Sequence, residues 1–479
     1  MSVLEGIEPV RVMHYFEQIS AIPRGSRNTR AISDHLVNFA RERGLEVRQD
    51  EVGNVVIHKP ASSGMEDHVP VIIQGHMDMV CEKTADCPID MMTEGLKLKV
   101  ADGKVMAEGT TLGADDGIAV AMALAILEDD SVTAPPLEVV ITVDEEIGML
   151  GAAALDMSDI RGRRLLNIDS EEEGVFTVSC AGGATAICSV KTESEVLTGD
   201  CYRIDIHGLT GGHSGIEIDK NRANAAVLLG RLLGRLGEGV TLKSAKSGNK
   251  DNAIPNSAEA EVMLTGITED ILCRTVDSFL KDIDEEYGLT DAGIRIDVTS
   301  LGKAEAECLT SDSFEKAVYM LNCLPNGIIR RSPANVGFVR TSLNLGIFTA
   351  DTKSIRASFC VRSSVKSEKQ QLLDTLRLAM RSIGGDVQVE GDYPGWIYRK
   401  NSELEKVCVE VYTEQYGHKP EVEAVHAGLE CGYFVSGIEG LECISFGPDL
   451  NEIHTVRETM DIESVQRVYR MLLGILKRL

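Results

Sequence analysis

The sequence lacks the features that mark several classes of protein. Among its 479 residues are twelve cysteines, but no Cys-x-x-Cys pair, which fits neither a disulfide framework nor a zinc finger. The longest apolar run near a predicted helix, from Gly117 to Leu127, is too short to cross a bilayer. The chain start, residues 1–9, has neither the basic nor the apolar segment of a signal peptide. These absences predict reduced thiols and a cytoplasmic protein with no membrane partner.

Basic residues are in the minority. The 48 Lys and Arg residues are outnumbered by 75 Asp and Glu residues, and the formal net charge at pH 7 is −27. Because phosphate binding needs a basic surface, we expect no nucleic-acid partner. The chain is also too long for one ordinary hydrophobic core, so two or three domains are expected.

A buried strand followed by two polar side chains is the first functional pattern. The run from Val69 to Gln74 is apolar and β-branched, which predicts a strand buried on both faces, as in the middle of a parallel sheet. His76 and Asp78 follow two residues apart, so in an extended chain their side chains point to the same side. We expect them to meet at the carboxyl end of the strand, where open α/β sheets bind ligands.

Two further predicted strands end in carboxylates. The strand over residues 137–143 is followed by Glu145 and Glu146, and a third strand ends at Asp169. Before both strands in the chain, a Gly-rich turn brings Asp115 to the start of an Ala-rich helix, where a carboxylate is favoured by free backbone amides. Since solvated charges have no reason to cluster at the same end of each strand, these carboxylates indicate one shared site.

The collected side chains predict a metal centre. So many carboxylates in one place would repel each other and lose hydration unless cations were bound, and we expect two. Imidazole and carboxylate donors together suit Zn²⁺, with Mn²⁺ or Co²⁺ as substitutes, better than they suit magnesium or calcium. The candidate residues are His76, Asp78, Asp115, Glu145, Glu146, Asp169 and His454.

Two neighbouring cations need a carboxylate that bridges them. Asp115 is the candidate, because its Gly-rich turn could place the side chain deep in the site. His76 with Asp169, and Glu146 with His454, would then complete two half-sites.

The remaining carboxylates have other predicted roles. Glu145 and Glu146 face different ways at a strand end, so one can bind metal while the other acts as general base toward a water molecule. Asp78 is predicted to orient the His76 ring rather than to bind metal.

The pattern changes from about Ala186. Alternating strands are predicted at 202–207, 258–264 and 294–298, between amphipathic helices at 221–236 and 269–286. This pattern predicts an α+β domain, residues 187–393, inserted into an α/β domain made of residues 1–186 and 394–479. The single tryptophan, Trp396, lies at the predicted junction, and we expect it to act in packing.

Seven motifs, in this order, resemble the M20 family of di-zinc peptidases. They are His76-Met-Asp78, Gly113-Ala-Asp115-Asp116-Gly, Asp144-Glu145-Glu146-Ile-Gly, Asn167-Ile-Asp169, Gly211-Gly-His213-Ser-Gly, Asn252-Ala-Ile-Pro-Asn256 and Gly447-Pro…His454. The resemblance implies a doubly wound α/β catalytic domain with an inserted α+β lid domain.

The same resemblance assigns roles to the residues of the metal centre. It implies that Glu145 is the base, that Asp78 orients a ligand, and that the Asp115–Asp116 peptide bond is cis. The implied ligands of two zinc ions are His76, Asp115, Glu146, Asp169 and His454.

The resemblance also implies a substrate class. An aspartate at position 169 is similar to the aminopeptidase and dipeptidase members, which favours a free α-amino group in the substrate. Segments 426–432 and 447–455 resemble members that hydrolyse dipeptides, including Xaa-His peptides such as Ala-His and β-Ala-His. The implied reaction is attack of a metal-bridged hydroxide on the peptide bond.

Further implied roles lie in the lid. The resemblance implies that His213 helps to polarise the scissile carbonyl and that a lid arginine binds the C-terminal carboxylate of the substrate. We select Arg362 because an arginine fork suits a carboxylate, with Arg330, Arg331 and Arg340 as rivals. Asn256 and Gly428 are expected to contact the substrate. A homodimer is implied by the resemblance alone.

The sequence leaves two alternative functions open. An N-acyl-amino-acid deacylase of the same family would accept a blocked amine. A non-catalytic metal-binding scaffold could retain the fold, but Glu145 argues against it because a scaffold does not need a general base.

Overall fold

The computed structural model describes residues 2–333 and 337–479. The chain forms two compact units, of which the first comprises Met1–Cys180, Trp396–Ala424 and Leu429–Leu479. The second unit comprises Ala181–Gly395 and the short segment Val425–Gly428. The sequence predicts domain boundaries after residues 186 and 393, with the segment 425–428 in the catalytic domain. In the structure the boundaries lie after Cys180 and Gly395, and this segment belongs to the second unit.

The helices and strands are numbered along the chain. Before residue 181 they are α1 (Val10–Ser20), α2 (Arg30–Glu42), β1 (Glu46–Gln49), β2 (Val55–Lys59), β3 (Val71–His76), β4 (Leu98–Ala101), β5 (Lys104–Ala107), α3 (Ala114–Glu128), β6 (Leu137–Thr142), α4 (Leu150–Ala154), β7 (Arg164–Asn167) and β8 (Val175–Cys180). The next part contains β9 (Gly182–Lys191), β10 (Ser194–His207), β11 (Gly212–His213), α5 (Ala225–Leu236), β12 (Val240–Ser247), β13 (Ala253–Ile254), β14 (Ala258–Leu264), α6 (Glu269–Tyr287), β15 (Arg295–Leu309), α7 (Ser311–Asn322), β16 (Gly327–Arg331), β17 (Val339–Ala350), β18 (Ser354–Ser363), α8 (Lys366–Ser382) and β19 (Asp386–Tyr393). The last part contains α9 (Glu403–Tyr416), β20 (Glu421–Val425), α10 (Cys431–Gly437), β21 (Glu442–Ser445), β22 (Leu450–Asn451), β23 (Thr459–Asp461) and α11 (Ile462–Leu476).

The first unit is built on an eight-stranded sheet with the order β1-β2-β6-β3-β7-β21-β8-β20. In its centre, β3 pairs in parallel with both β6 and β7, and β21 pairs in parallel with β7. Every residue of β3 and β6 is buried, which explains their uninterrupted apolar sequences. Because these four strands run in the same direction, their carboxyl ends lie at one edge of the sheet.

Helix α3 packs closely on this sheet. A Cβ atom on Gly75 in β3 would lie 2.7 Å from the Cβ of Ala119 in α3, so the close approach requires glycine. The helix is buried along almost its whole length. The Ala-rich sequence therefore follows from tight helix-to-sheet packing.

The second unit is α+β, as predicted from the sequence. Its nine-stranded sheet has the order β15-β10-β14-β12-β17-β18-β9-β19, with β16 paired to β17. Helices α5 to α8 share one apolar core with alternate residues of these strands.

Two of its strands are longer than their sequences predicted. The prediction covered 202–207 and 294–298, whereas β10 and β15 pair over almost their full lengths, from Ser194 with Leu309 to His207 with Arg295. Much of β15 is solvent-exposed and polar. Residues 299–303 of β15 are all exposed and interrupt the apolar alternation, so the sequence did not show that the strand continues beyond residue 298.

Trp396 is buried, with 3% of its surface exposed, and its backbone exchanges hydrogen bonds with Cys180. This agrees with the packing role expected from sequence. All twelve cysteines are free thiols. Within residues 2–333 and 337–479, no helix combines the length and the apolar character needed to span a bilayer.

Candidate metal centre

The polar residues predicted to follow the parallel strands meet at the carboxyl edge of the first unit's sheet. His76 is the last residue of β3, and Glu145 and Glu146 lie in the loop after β6. Asp169 follows β7, and His454 lies in the loop beyond β21 and β22. The parallel pairing of these strands therefore gathers residues that are far apart in sequence.

His76 forms the buried side of the centre. Only 1% of its surface is exposed. Its Nε2 lies 3.1 Å from Asp115 Oδ1 and 3.4 Å from Asp169 Oδ1. On the other side of the ring, Nδ1 lies 3.4 Å from Asp78 Oδ1. The ring thus has two carboxylates at one nitrogen and a third at the other, which is the arrangement of an oriented metal ligand.

Asp115 lies between two histidines. Its Oδ1 faces His76 Nε2, and its Oδ2 lies 3.1 Å from His454 Nε2. His454 Nε2 also lies 3.0 Å from Glu146 Oε2. Each oxygen of one carboxylate therefore belongs to a separate group of donors, as a bridging ligand requires.

The backbone at these positions is specialised. The Asp115–Asp116 peptide bond is cis, as the family resemblance implies. Asp115 and Asp116 have non-helical φ and ψ angles, so the regular part of α3 begins after them. His454 has a φ of 59°, in the left-handed region that few non-glycine residues adopt. A left-handed backbone at a non-glycine residue such as His454 is often found at functional sites.

The pKa shifts of its histidines and carboxylates indicate that the cluster favours bound positive charge. Hydrogen bonds with Asp115 and Glu146 raise the pKa of His454 to about 10. Burial opposes protonation of His76, but the carboxylates of Asp115 and Asp169 raise its pKa well above the ordinary value. Burial raises the pKa of Asp169 to about 6. Protons are thus held where cations would neutralise the carboxylates.

The donor set fits a divalent metal. His76, Asp115 and Glu146 can each offer a ligand atom within 4.8 Å of the others. His76, Asp116 and Asp169 form a second such group. Because these donors are imidazole nitrogens and carboxylate oxygens, they suit a transition-metal ion.

Asp116, which sequence analysis left without a role, is fully buried next to this site. Its Oδ2 accepts the backbone N–H of His76 at 3.2 Å, and burial raises its pKa well above the ordinary value. This bond holds the end of β3 through one oxygen of Asp116.

Glu145 and Asp78 are joined through the backbone. Asp78 is fully buried, and its Oδ1 and Oδ2 accept the backbone N–H groups of Glu145 at 3.0 Å and Glu146 at 3.3 Å. The hydroxyl of Ser26 donates to Asp78 Oδ2 at 2.9 Å. Asp78 therefore connects the His76 ring to the two adjacent glutamates, beyond the single role that the sequence suggested.

Burial raises the pKa of Glu145 well above the ordinary value for glutamate. A carboxylate in this environment has an increased affinity for a proton, as a general base requires.

Sequence reasoning missed a buried glutamate behind the centre. Glu430, fully buried, accepts hydrogen bonds from Gln74 Nε2 at 2.5 Å and Thr142 Oγ1 at 2.6 Å. Burial raises its pKa to about 8. Gln74 lies in β3 and Thr142 ends β6, so Glu430 links the two strands that carry His76 and the glutamate pair. Its position just before a helix gave no sequence signal for this contact.

The predicted lid residues also lie near one another within the second unit. His213 in β11 pairs with Ala253 in β13, which joins the Gly-Gly-His-Ser-Gly motif to the segment ending at Asn256. His213 Nδ1 accepts the backbone N–H groups of Gly215 and Ile216, both at 3.2 Å. Since Nδ1 is an acceptor, the neutral ring carries its proton on Nε2. Burial and the positive charge of Arg362 lower the pKa of His213, which keeps the ring neutral.

Arg362 differs from its three rivals. It is 6% exposed, and its Nη1 donates to the Tyr393 hydroxyl at 3.2 Å. Arg340, in contrast, forms a bidentate ion pair with Glu368. Arg330 and Arg331 are exposed.

Within the part of the chain that the structure describes, Arg362 Nε has no hydrogen-bond partner although it is buried. A buried guanidinium with an unused donor is suited to an anionic ligand.

A second lid histidine was not predicted. His426 is buried, and its Nε2 lies 2.8 Å from the Ser342 hydroxyl. Burial and the Arg362 charge lower its pKa to about 3. A Cβ on Gly215 would lie 2.4 Å from the His426 carbonyl oxygen, so His426 lies beside the loop that holds His213. Gly428, two residues later, belongs to the same unit.

The sequence pattern of the peptidase family M20/M25/M40 matches residues 72–478. The chain belongs to this family. The resemblance inferred from seven motifs is thus confirmed, and with it the assignment of the chain to a family of peptidases.

A full-length relative is the cytosol non-specific dipeptidase of Escherichia coli K12. It is 34% identical over 483 residues, with 100% of this chain and 99% of the relative covered. The crystal structure of aminoacylhistidine dipeptidase from Vibrio alginolyticus matches with a TM-score of 0.94 and 33% identity, over 99% of this chain and 98% of that one. A tripeptidase from Staphylococcus aureus, at 17% identity and a TM-score of 0.54 over 98% of each chain, shares the fold.

Proposed function

We propose that this protein is a metal-dependent dipeptidase that hydrolyses unblocked dipeptides, including Xaa-His peptides such as Ala-His and β-Ala-His. One observation carries the proposal: the two oxygens of Asp115 face His76 and His454 separately, at 3.1 Å each. The full-length relative named as a dipeptidase supports the substrate class. The relative named as an aminoacylhistidine dipeptidase supports a histidine at the second position.

The cofactor that we propose is a pair of Zn²⁺ ions, for which Mn²⁺ or Co²⁺ could substitute. His76 and Asp169 would hold one ion, Glu146 and His454 the other, and Asp115 would bridge them. Once bound, such ions lower the pKa of a coordinated water and polarise the substrate carbonyl. The support lies in the mixed nitrogen and oxygen donors and in the protons that the histidines retain without a metal.

Glu145 is the proposed general base. Its carboxylate takes a proton from the attacking water and then delivers that proton to the amine of the leaving residue. Its raised pKa supports both steps, because a base that binds the proton firmly can also carry it to the leaving group. Asp78 keeps Glu145 in place through the backbone bond and orients His76.

We propose that residues of the lid bind the substrate. His213 donates a hydrogen bond from its Nε2–H to the scissile carbonyl oxygen, and Arg362 binds the C-terminal carboxylate. Asn256 and Gly428 contact the peptide. The supporting features are the Nδ1 acceptor bonds of His213 and the buried, unused Nε of Arg362.

We further propose that the protein acts as a homodimer in the cytoplasm. The dimer is supported by the family resemblance, and the compartment by the name of the E. coli relative. Sedimentation of the purified protein at micromolar concentration tests the dimer, since a single monomer boundary would refute it.

Substrate hydrolysis tests the function directly. Chelator-treated protein is reloaded with zinc, manganese or cobalt and assayed with Ala-His, β-Ala-His, N-acetyl-His and a tripeptide. We expect metal-dependent cleavage of the two free dipeptides, which the Glu145→Gln variant lacks although it still binds metal. Cleavage of the acetylated compound alone would identify a deacylase, and metal binding without any turnover would identify a scaffold.

A further inference from the structure

The carboxylate of the buried Glu458 binds the turn that precedes Asp115. Glu458 is 3% exposed, and its Oε2 accepts the backbone N–H groups of Leu112 at 2.8 Å and Gly113 at 3.0 Å. Its Oε1 accepts the N–H of Ala114 at 2.8 Å. One carboxylate thus binds three consecutive amides. Carboxylate bonds to backbone amides are charge-assisted and therefore strong, so this turn is firmly held.

A buried arginine binds the same turn through its carbonyl oxygen. Arg24 is 2% exposed, and its Nη2 donates to the Gly113 carbonyl. Its Nη1 donates to the carbonyl oxygens of Met77 at 3.1 Å and Asp78 at 3.2 Å. The guanidinium therefore ties the segment that follows His76 to the turn that leads into Asp115.

The turn is shaped to fit this arginine. Gly113 has a φ of 64°, which favours glycine, and a Cβ at this position would lie 2.6 Å from Arg24 Nη2. A Cβ on Gly117, in the next turn of the chain, would lie 2.5 Å from the same atom. Two glycines therefore leave the space that the guanidinium fills. Arginine is rarely fully buried in proteins unless it is paired, so the space left by these glycines and the hydrogen bonds of the guanidinium are needed to keep Arg24 here.

The neighbours of Arg24 contact the other strand ends. Ser26 donates its hydroxyl to Asp78 Oδ2 at 2.9 Å. The backbone N–H of Arg27 donates to Asp144 Oδ1 at 2.6 Å, immediately before the glutamate pair. The loop of residues 24–27 therefore touches all three segments that follow β3, precede α3 and follow β6.

Glu458 makes the corresponding connection to His454. The two residues belong to one short loop, in which the Glu458 N–H donates to the Thr455 carbonyl at 3.1 Å. Since Glu458 also holds the amides of the Asp115 turn, it links the loop of His454 to the segment of Asp115. Arg24 links that same segment to His76. Together they connect the three residues on which the bridging geometry depends.

We propose that Arg24 and Glu458 are positioning residues that set the separation between His76, Asp115 and His454, and thereby the affinity of the centre for a pair of divalent ions. The inference rests on the proposed metal centre, but not on the identity of the peptide substrate. Arg24 acts on the carbonyl side of the turn and Glu458 on its amide side, so a change in either should shift the bridging carboxylate.

The test compares Glu458→Gln and Arg24→Lys with a matched control, Glu138→Gln. Glutamine places an NH₂ group against a backbone N–H, and lysine lacks the second arm of the guanidinium. Glu138 is equally buried, at 3%, and accepts the backbone N–H groups of Arg161 and Gly162, at the opposite end of its strand from the metal centre. Its loss should therefore affect folding but not the metal.

The measurements are zinc titration of chelator-treated protein by calorimetry and the absorption spectrum of the cobalt-loaded protein. We expect Glu458→Gln and Arg24→Lys to weaken zinc binding by about 10- to 100-fold, the usual effect of losing a group that supports a ligand, and to alter the cobalt spectrum. The control should lower the melting temperature while leaving both readouts unchanged.

Wild-type zinc affinity and cobalt spectra in both variants, with only the melting temperature lowered, would overturn the proposal. Because Arg24→Lys retains the buried positive charge, it decides the question if Glu458→Gln fails to fold. A wild-type protein that binds two zinc ions but cleaves no dipeptide would refute the proposed function, while the titration would still test the positioning role.

Discussion

Asp78 Oδ1 accepts the backbone N–H of Glu145 at 3.0 Å. The same oxygen lies 3.4 Å from His76 Nδ1. One carboxylate oxygen thus contacts both the ring of the proposed ligand His76 and the backbone of the proposed base, which come from different strands. The positions of the proposed ligand and of the proposed base are therefore set together.

The Asp78→Asn variant should lose activity through kcat. An amide group cannot accept from both Glu145 and Glu146 while it also faces the His76 ring, so the base and the ligand would both shift. We expect kcat for Ala-His to fall by about 10- to 100-fold with little change in KM. A variant in which KM rises and kcat is retained would contradict this role.

The His213→Ala variant should also act mainly on kcat. Removing one hydrogen-bond donor to a developing oxyanion costs about 10²- to 10³-fold in rate. His207, an exposed lid histidine that pairs with Asp297, provides the control, and His207→Ala should be unaffected.

The pH dependence of His213 is a separate prediction. Because burial and Arg362 lower its pKa below the ordinary 6.5, His213 is mostly neutral at that pH. We therefore expect the wild-type profile of kcat/KM to show no loss of activity due to this ring near pH 6.5. An acidic limb centred there that disappears in His213→Ala would refute the assignment.

Arg362→Gln should weaken recognition of the substrate carboxylate. A hydrogen bond to a charged group contributes about 1.5–3 kcal/mol, so kcat/KM for Ala-His should fall by about 10- to 100-fold, mostly through KM. With a C-terminally amidated dipeptide, the variant and the wild type should be nearly equal. Arg340→Gln, whose parent side chain pairs with Glu368, is the control and should retain KM.

Glu430 predicts a pH-dependent stability in chelator-treated protein. Its pKa in the folded protein, about 8, exceeds the ordinary value of 4.5. The folded state therefore binds this proton more tightly than the unfolded state, and the resulting stability is full below pH 4.5 and lost as the pH rises through about 8.

The Glu430→Gln variant cannot lose that proton, and its amide imitates the protonated carboxyl group. We expect its melting temperature, relative to the wild type, to rise by a few degrees between pH 6 and pH 9. Differential scanning fluorimetry at several pH values measures this difference. An offset that stays constant with pH would show that Glu430 is not protonated in the folded protein.

The strands that position the candidate metal centre can be predicted from sequence, because each is a continuous apolar run followed by polar residues. The apolar runs over β3 and β6 predict buried parallel strands, and the polar residues that follow these runs in the sequence predict the candidate site. The strand lengths of the second unit are harder to predict from sequence. In its strand β15 the exposed residues 299–303 interrupt the apolar alternation, and the full length of this strand depends on pairing with β10, a partner that lies far away in sequence.

The order of the strands along the chain and the residue types at their ends are properties of the amino-acid sequence, and they specify the chemistry of the proposed site. The folded chain is needed to place the two oxygens of Asp115 against different histidines, and to bring Arg24, Glu430 and Glu458 around the centre. Their partners are mainly backbone groups and buried side chains distant in sequence. Such contacts form only when the sheet is assembled, because a backbone amide or carbonyl has no signature in the amino-acid sequence.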